Sequence, residues 1–267
     1  MLINPYVFGF SPTDVDAIAY IAAVEAADGT SLESGVKQAI NDFVIGCKND
    51  GIWTAIKASC ILAGARTLNG ALVPLVGTAP TNHNFVSGDY NRKTGLIGNG
   101  STKYLNSNRN NNADPQNSVS HAVWISSVSS TVGYVPIGAG FNLTGSTRCS
   151  PNPSSIPSPT TSIRIRSSSV MGATIAILPN ANTFYGYRRS AVNDSLLRMN
   201  SANYTRTEPS ETPFNGNVFV FADNNNGTAG VFMNGRLAFY SIGQSLDLAL
   251  LDTRVTALIN AFAAAIP

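Results

Sequence analysis

The spacing of apolar residues changes near Arg66 and again near Gln244, and these two changes constrain the fold more than any single motif. Before Arg66 the apolar residues recur at helical intervals. Val15, Ile18, Ile21, Ala22 and Val24 form one stripe, and Leu32, Val36, Ile40, Phe43, Val44 and Cys47 form a second. Ser11-Pro12-Thr13-Asp14 offers a capping hydroxyl, a proline suited to a first turn and an acid that favours the helix dipole. Ala26-Ala27-Asp28-Gly29 and Asn49-Asp50-Gly51 are stop signals. Ile52, Trp53, Ile56, Cys60 and Ile61 predict a third helix ending around Gly64.

From Thr67 to Gly243 the chain is punctuated by Gly, Asn, Ser and Pro, with short apolar runs between. Strands are expected at Ser120–Ser126, Ser162–Ser167, Ala173–Leu178, Thr183–Tyr187, Val218–Phe221 and Gly235–Gly243. Strict alternation over Ser162–Ser167 predicts Ile163 and Ile165 inside, with Arg164 and Arg166 in solvent. Val218-Phe219-Val220-Phe221 is apolar on both faces, which predicts a central strand. Asn224-Asn225-Asn226-Gly227 predicts a tight turn, and the prolines between Cys149 and Ser162 predict an irregular loop joining the sheets. Ser245 is expected to cap a helix bearing Leu246, Leu250, Leu251, Val255, Leu258, Ile259 and Phe262. The fold class expected is mainly β with flanking α, an antiparallel β-sandwich of the jelly-roll kind. It divides into a helical attachment segment (1–66), the sandwich (67–244) and a C-terminal helix (245–267) that packs on the sandwich or a neighbouring subunit.

Charged residues make up 12% of the 267, and the formal net charge is +2. The 17 Lys and Arg are scattered rather than striped, which argues against a nucleic-acid partner. So little charge leaves Ser, Thr, Asn and Gly to coat the surface, as in a protein covered by copies of itself; a low-charge monomer is the alternative. Three separated cysteines do not form a disulfide framework. The opening Met1-Leu2-Ile3-Asn4-Pro5 predicts no secretory leader, which leaves triplets such as Asn142-Leu143-Thr144 without meaning as glycosylation sites. No stretch is expected to insert in a membrane.

The residues offer little for catalysis. His83 and His121 lack neighbouring Cys, Asp or Glu at metal-ligand spacing, and no metal or cofactor is expected. Glu208 and Glu211 are the only close acids between Thr67 and Gly243, and flanking prolines place them in a solvated loop. Gly95 to Lys103 has the glycines and lysine of a phosphate loop in the wrong order, and reads as a turn between strands. What remains suits recognition: Tyr185, Tyr187 and Arg188 along one strand, and Asn224, Asn225 and Asn226 in a turn, supply the aromatic faces and amides that a neutral sugar requires. A sandwich core and its turns require the same residues.

Three stretches, Asp89 to Leu105, Asn108 to Asn117, and Gly235 to Ile242 continuing through Leu246 to Val255, together resemble structural proteins of tailed bacteriophages, notably marine and cyanobacterial ones, that carry a concanavalin A-like (laminin G-like) jelly roll. The resemblance implies a non-enzymatic virion component: a fibre or appendage subunit, or a capsid decoration protein. It would assemble with itself, for instance as a trimer, and with other virion proteins. The rival readings are a lectin-like adhesin for host-surface glycan and a glycan hydrolase. The hydrolase lacks the run of alternating acids that enzymatic relatives of this fold carry on one strand.

Overall fold

The computed structural model describes residues 11–141, 143–155, 158–167, 174–176 and 178–267. Two helices lead the described chain, α1 (Val15–Asp28) and α2 (Ser34–Asn49). Asp14, rather than Ser11 or Thr13, caps α1, accepting from the amides of Asp16 and Ala17 at 2.9 and 3.4 Å. Gly29 closes it in the left-handed region at φ 69°. A single turn, α3 (Leu68–Ala71), follows, and α4 (Leu248–Ala265) ends the chain, capped by Asp247 rather than Ser245. α2 and α4 pack closely through small residues: a β-carbon on Gly35 would lie 2.8 Å from that of Ala265.

Between the helices lie two large sheets, and every pairing among the described residues is antiparallel. The first, eight-stranded, runs Ala202–Arg206, Asp194–Met199, Thr183–Ala191, Val119–Val128, Gly235–Gly243, Gly95–Ile97 and Tyr90–Asn91, with Ile56–Ile61 also paired to Gly235–Gly243. The second, seven-stranded, runs Thr174–Ile175, Thr160–Ile165, Thr147–Asn152, Ile137–Ala139, Asn217–Val220, Tyr104–Asn110 and Thr81–His83. Alternation sorts the core into two layers. Trp124, Phe184, Leu196 and Phe239 face the helices and join Phe43, Val255 and Phe262 in one cluster. Val123, Tyr185, Tyr187, Leu197 and Tyr240 face the other way, meeting Leu105, Ile137, Ile163, Val218 and Val220 of the second sheet. The order is therefore helices, sheet, sheet, and among the described residues the far side of the second sheet carries no helix.

The expected mainly-β sandwich with flanking helices is what forms, but several local expectations are corrected. Ile56–Ile61 is a strand, not a third helix; Ala58 and Cys60 face the sandwich core while Ile56 and Ile61 meet the helical layer. Helical spacing and alternation both fit that short run, and the edge of Gly235–Gly243 decides between them. Cys149 to Ser162 is no crossover between sheets: Thr147–Asn152 and Thr160–Ile165 pair as a hairpin, Cys149 opposite Ile163, with Ile156 and Pro157 outside the described residues. Of the expected strand 173–178, Thr174–Ile175 pairs with Ser162 and Thr161, while Ala173 and Ile177 lie outside the described residues. So do Met1–Pro5 and Asn142.

Arg164 and Arg166 are buried rather than solvated. The Arg164 guanidinium donates to the Phe141 carbonyl at 3.0 Å, under the loop that covers this part of the sheet. Arg166 leaves the strand at φ 58° and donates to the carbonyls of Asn111, Asp114 and Pro115. Glu208 and Glu211 are not solvated loop acids either. Glu208 is buried 3.5 Å from Arg189, and Glu211 accepts from the Gly145 amide at 2.8 Å. In a chain with few charges, these ions are spent holding irregular segments together. α4 also departs from expectation: by length and composition it is apolar enough to cross a membrane. Here its Leu251, Val255, Leu258 and Phe262 are buried in the helix-facing cluster.

Candidate functional site

The residues expected to form a site are split over three places. Tyr185 and Tyr187 are fully buried between the sheets, because both alternate inward from Thr183–Ala191 and Gly186 takes the outward position. The Tyr187 hydroxyl donates to the Ile137 carbonyl at 2.6 Å and lies 3.2 Å from His121 Nδ1. No sugar can reach either ring. Arg188 points to the opposite side of that strand, pairs with Asp194 at 2.7 Å and lines a depression of about 400 Å³ beside the start of α4. Asn224, Asn225 and Asn226 belong to a hairpin on the far side of the second sheet.

The burial of the tyrosines has a measurable consequence. The Tyr185 hydroxyl is buried beside the Cys149 thiol with no hydrogen-bond partner of normal geometry, so Tyr185→Phe should change stability by less than about 1 kcal/mol. Tyr187→Phe removes the bond to the Ile137 carbonyl and the oxygen beside His121 Nδ1, costing about 1–2 kcal/mol. Urea unfolding of the two variants separates these cases, and equal losses would contradict the placement.

What the helix-free side does assemble is a set of amides. Outward positions alternate along Tyr104–Asn110, placing Tyr104 and Asn106 on the open face, while Asn217–Val220 adds Asn217 and Phe219. Phe219 lies opposite both Asn106 and Gly138. The hairpin Asp223–Asn225/Thr228–Gly230 rises beside them, turning through Asn226 and Gly227 at φ 51° and 93°, both left-handed as the Asn-Gly pair allows. Asn106, Asn215, Asn217, Phe219, Asn224 and Asn226 with Gly216 and Gly227 enclose an open depression of about 350 Å³.

The amides divide by task. Asn224 is buried and serves as a bracket, donating to the Asn217 carbonyl and accepting from the Gly227 amide, each at 2.7 Å. Asn215 accepts from Asn110 and Asn112 at 2.8 and 3.2 Å through Oδ1, which leaves its Nδ2 available. Asn106 accepts from the Asn108 amide through Oδ1 at 3.0 Å and likewise keeps its Nδ2. Among the described residues no hydrogen bond engages the side chains of Asn217 or Asn226. The depression thus offers donors and acceptors on a scaffold fixed from behind. Asn225 is exposed but does not line it.

A row of rings borders the depression. His83 sits directly opposite Tyr104 and stacks on it at 4.1 Å with planes 4° apart. Tyr104 in turn meets Phe219 at 4.8 Å and Phe232 at 6.2 Å. The rings cover one another, so they form a rigid wall rather than a broad stacking surface. Nothing charged lines the depression among the described residues. Beneath the hairpin the buried Asp223 pairs with Arg148 at 3.0 Å, and burial pushes its carboxyl up to about 6. No group of three or more His, Cys, Asp or Glu able to hold a metal occurs among the described residues.

The phosphate-loop lookalike is closed chemically. Asn99 Oδ1 accepts from the amides of Ser101, Thr102 and Lys103 at 3.1, 2.9 and 3.1 Å, and Lys103 is paired with Asp89. The donors that would cradle a phosphate are therefore already occupied.

The fold and face define a helix-backed β-sandwich whose open side carries an uncharged, amide-lined depression. No protein-family model matches the chain, and none of the curated proteins does. Solved structures similar to it include a carbohydrate-binding domain, the Ruminococcus gnavus IT-sialidase CBM40 bound to α2,3-sialyllactose. That match is 10% identical, covers 52% of this chain and 83% of that one, and has a TM-score of 0.39. Domain 4 of AbnA, an extracellular arabinanase from Geobacillus stearothermophilus in complex with arabinotriose, matches at 12% identity, covering 66% and 82%, with a TM-score of 0.40. The NanB sialidase from Streptococcus pneumoniae matches at 11% identity over 56% of this chain, which spans only 27% of that protein's chain, with a TM-score of 0.37.

Proposed function

We propose that this protein is a non-enzymatic structural subunit of a tailed-phage particle and that its open sheet face binds host-surface glycan. The observation that carries the glycan reading is the contrast between the two outer sides of the sandwich. Helices bury one side in apolar packing, while the other presents an uncharged depression of partly unengaged amides. Hydroxyl-rich ligands need donors and acceptors together, and primary amides supply both. The only close acids between Thr67 and Gly243, Glu208 and Glu211, hold Arg189 and the Gly145 amide, which argues against hydrolysis by that pair. The assembly reading draws on α1, where Val15 is 73% and Ile18 44% exposed on a face that also carries Ala19, Ala22, Ala23 and Ala26. Such a face fits burial against another subunit, in a homo-oligomer such as a trimer or against a neighbouring virion protein.

Immunogold microscopy of intact particles, with antibody raised against the folded protein, tests both halves. Surface label, together with antibody that blocks adsorption to cells, is the expected result. Val15→Glu with Ile18→Glu should abolish incorporation while leaving the isolated fold intact by circular dichroism. Absence of the protein from purified particles by mass spectrometry would overturn the virion reading.

A further inference from the structure

We infer that the ligand of the open face is an uncharged glycan longer than one sugar ring, an inference that rests on the glycan-binding reading. The first argument is the chemistry of the depression, whose side chains are amides and one phenyl ring. An acidic sugar, sialic acid or a uronate, would bring a carboxylate to this surface and lose part of its hydration, which only a cation or several converging donors can replace.

The cations carried near this face are committed elsewhere. Lys103 is paired with Asp89, and Arg109 binds Asp114 at 2.7 Å. Arg148 pairs with Asp223 at 3.0 Å and lies 4.8 Å from the centre of the Phe141 ring, while Arg164 donates to the Phe141 carbonyl. Both of these guanidinium groups are buried behind the hairpin and the neighbouring loop. Recruiting Arg148 would break the pair that seats the hairpin carrying Asn224 and Asn226, and recruiting Arg164 would release the loop at Phe141. Neutral hydroxyl and acetamido groups ask for no such rearrangement. They match amides of which Asn217 and Asn226 make no side-chain bond among the described residues.

The length follows from register. Asn106 and Tyr104 are outward neighbours two positions apart on one strand, about 7 Å along it. His83, opposite Tyr104 on the neighbouring strand, widens the ring wall by 4.1 Å across the sheet. A ligand that touches both the amides and the ring wall therefore runs past a single pyranose. The depression is open at its rim rather than enclosed, so an internal stretch of a chain can lie in it as readily as an end.

The decisive measurement is calorimetric titration with three sets of probes after screening on a glycan array that includes host-envelope polysaccharide. These are uncharged oligosaccharides from one to six residues (cello-, xylo- and N-acetylchito-oligomers), neutral glycans selected on the array, and the acidic probes 3′-sialyllactose and oligogalacturonate. The expected result is binding to at least one uncharged oligomer that strengthens at least tenfold from one residue to three. That affinity should be unchanged between about 50 and 500 mM salt, since no ion pair is screened. Asn217→Ala with Asn226→Gly, glycine keeping the left-handed turn position at φ 51°, should weaken it at least tenfold at little-changed melting temperature. Asn225→Ala, outside the depression, should not change it.

Preferential, salt-sensitive binding of the acidic probes would overturn this inference while leaving the face a glycan site. Equal affinity for one residue and three would overturn the length argument. Failure of every glycan to bind would remove the glycan reading itself, and this inference with it.

Discussion

Acidification from pH 7 to pH 4 is expected to move the stability of two single variants in opposite directions: His121→Gln upward and Asp223→Asn downward relative to the parent protein. His121 is fully buried, and desolvation, with Arg166 and Arg109 adding to it, holds its imidazole down to about 3. Because Tyr187 gives its proton to the Ile137 carbonyl, His121 Nδ1 is the donor to the Tyr187 oxygen. Nε2 is then an unprotonated nitrogen, and it has no partner. The unfolded chain takes up a proton near pH 6.5 that the folded chain refuses, so stability is lost as the pH falls below that point. Down to pH 4 this amounts to about 3 kcal/mol.

Asp223 works the other way. Burial raises its carboxyl to about 6 in spite of Arg148, so the folded protein takes up a proton before the unfolded chain does near 3.8. Stability is fully present at low pH and falls as the pH rises through about 6; acidification to pH 4 restores about 2 kcal/mol. The two contributions largely offset each other in the parent protein. Paired carboxylates such as Glu33 and Asp194, held below their usual range by Arg92 and by Ser190 with Arg188, add acid sensitivity common to all three proteins. Removing one buried group unmasks the other. Urea midpoints at the two pH values provide the slopes, and the slope rather than the level is diagnostic, because Arg148 loses a partner in Asp223→Asn at every pH. Identical slopes in all three proteins would show that neither group titrates as its burial dictates.

The features legible in the sequence were those fixed by local chemistry. Asn226-Gly227 announces its turn because both positions are left-handed, the final strand Gly235–Gly243 follows from its apolar run, and α2 from its periodicity. α1 forms where expected, but Val15, Ile18 and Ala22 of its stripe are exposed and Ala17, Tyr20, Ile21 and Val24 are buried instead. Features decided by distant partners were not. Ile56–Ile61 becomes a strand only because Phe239 to Gly243 lies ready to pair with it. Tyr185 and Tyr187 are correctly placed on a strand, but alternation alone does not say which of its faces meets the second sheet, and both faces here are buried.

The candidate depression was half visible. Asn224 and Asn226, singled out from the sequence, line it, whereas Asn106, Asn215 and Asn217 were not singled out, since they reach it only through the pairing of Asn217–Val220 with Tyr104–Asn110 across more than a hundred residues. The signal that could have located them is the alternation Tyr104-x-Asn106-x-Asn108, polar on one face with Leu105 and Ser107 on the other. Arg164 and Arg166 misled for the reverse reason: charge at alternate positions usually means solvent, but here it ties down loops that contribute no apolar packing of their own.

Phe219 joins the fold to the site, and Phe219→Ala is expected to cost about 3–5 kcal/mol. The residue belongs to Asn217–Val220, a central strand hydrogen-bonded to Tyr104–Asn110 on one side and Ile137–Ala139 on the other. Its neighbours Val218 and Val220 fill the inter-sheet core, so Phe219 points to the outer side, yet it is only 4% exposed because Tyr104 and the hairpin cover it. Truncation would leave a cavity beneath Tyr104 that the flanking strands cannot close without losing register. Phe219→Leu keeps most of the volume and should cost under about 1.5 kcal/mol. The two substitutions should also part in binding: alanine removes the floor of the depression and the ring that holds Tyr104, whereas leucine keeps the floor but not the ring contact. A loss below about 1 kcal/mol for Phe219→Ala in urea unfolding would mean that the outer face has no packed layer above this strand. The amides around it would then have no fixed geometry with which to select a ligand.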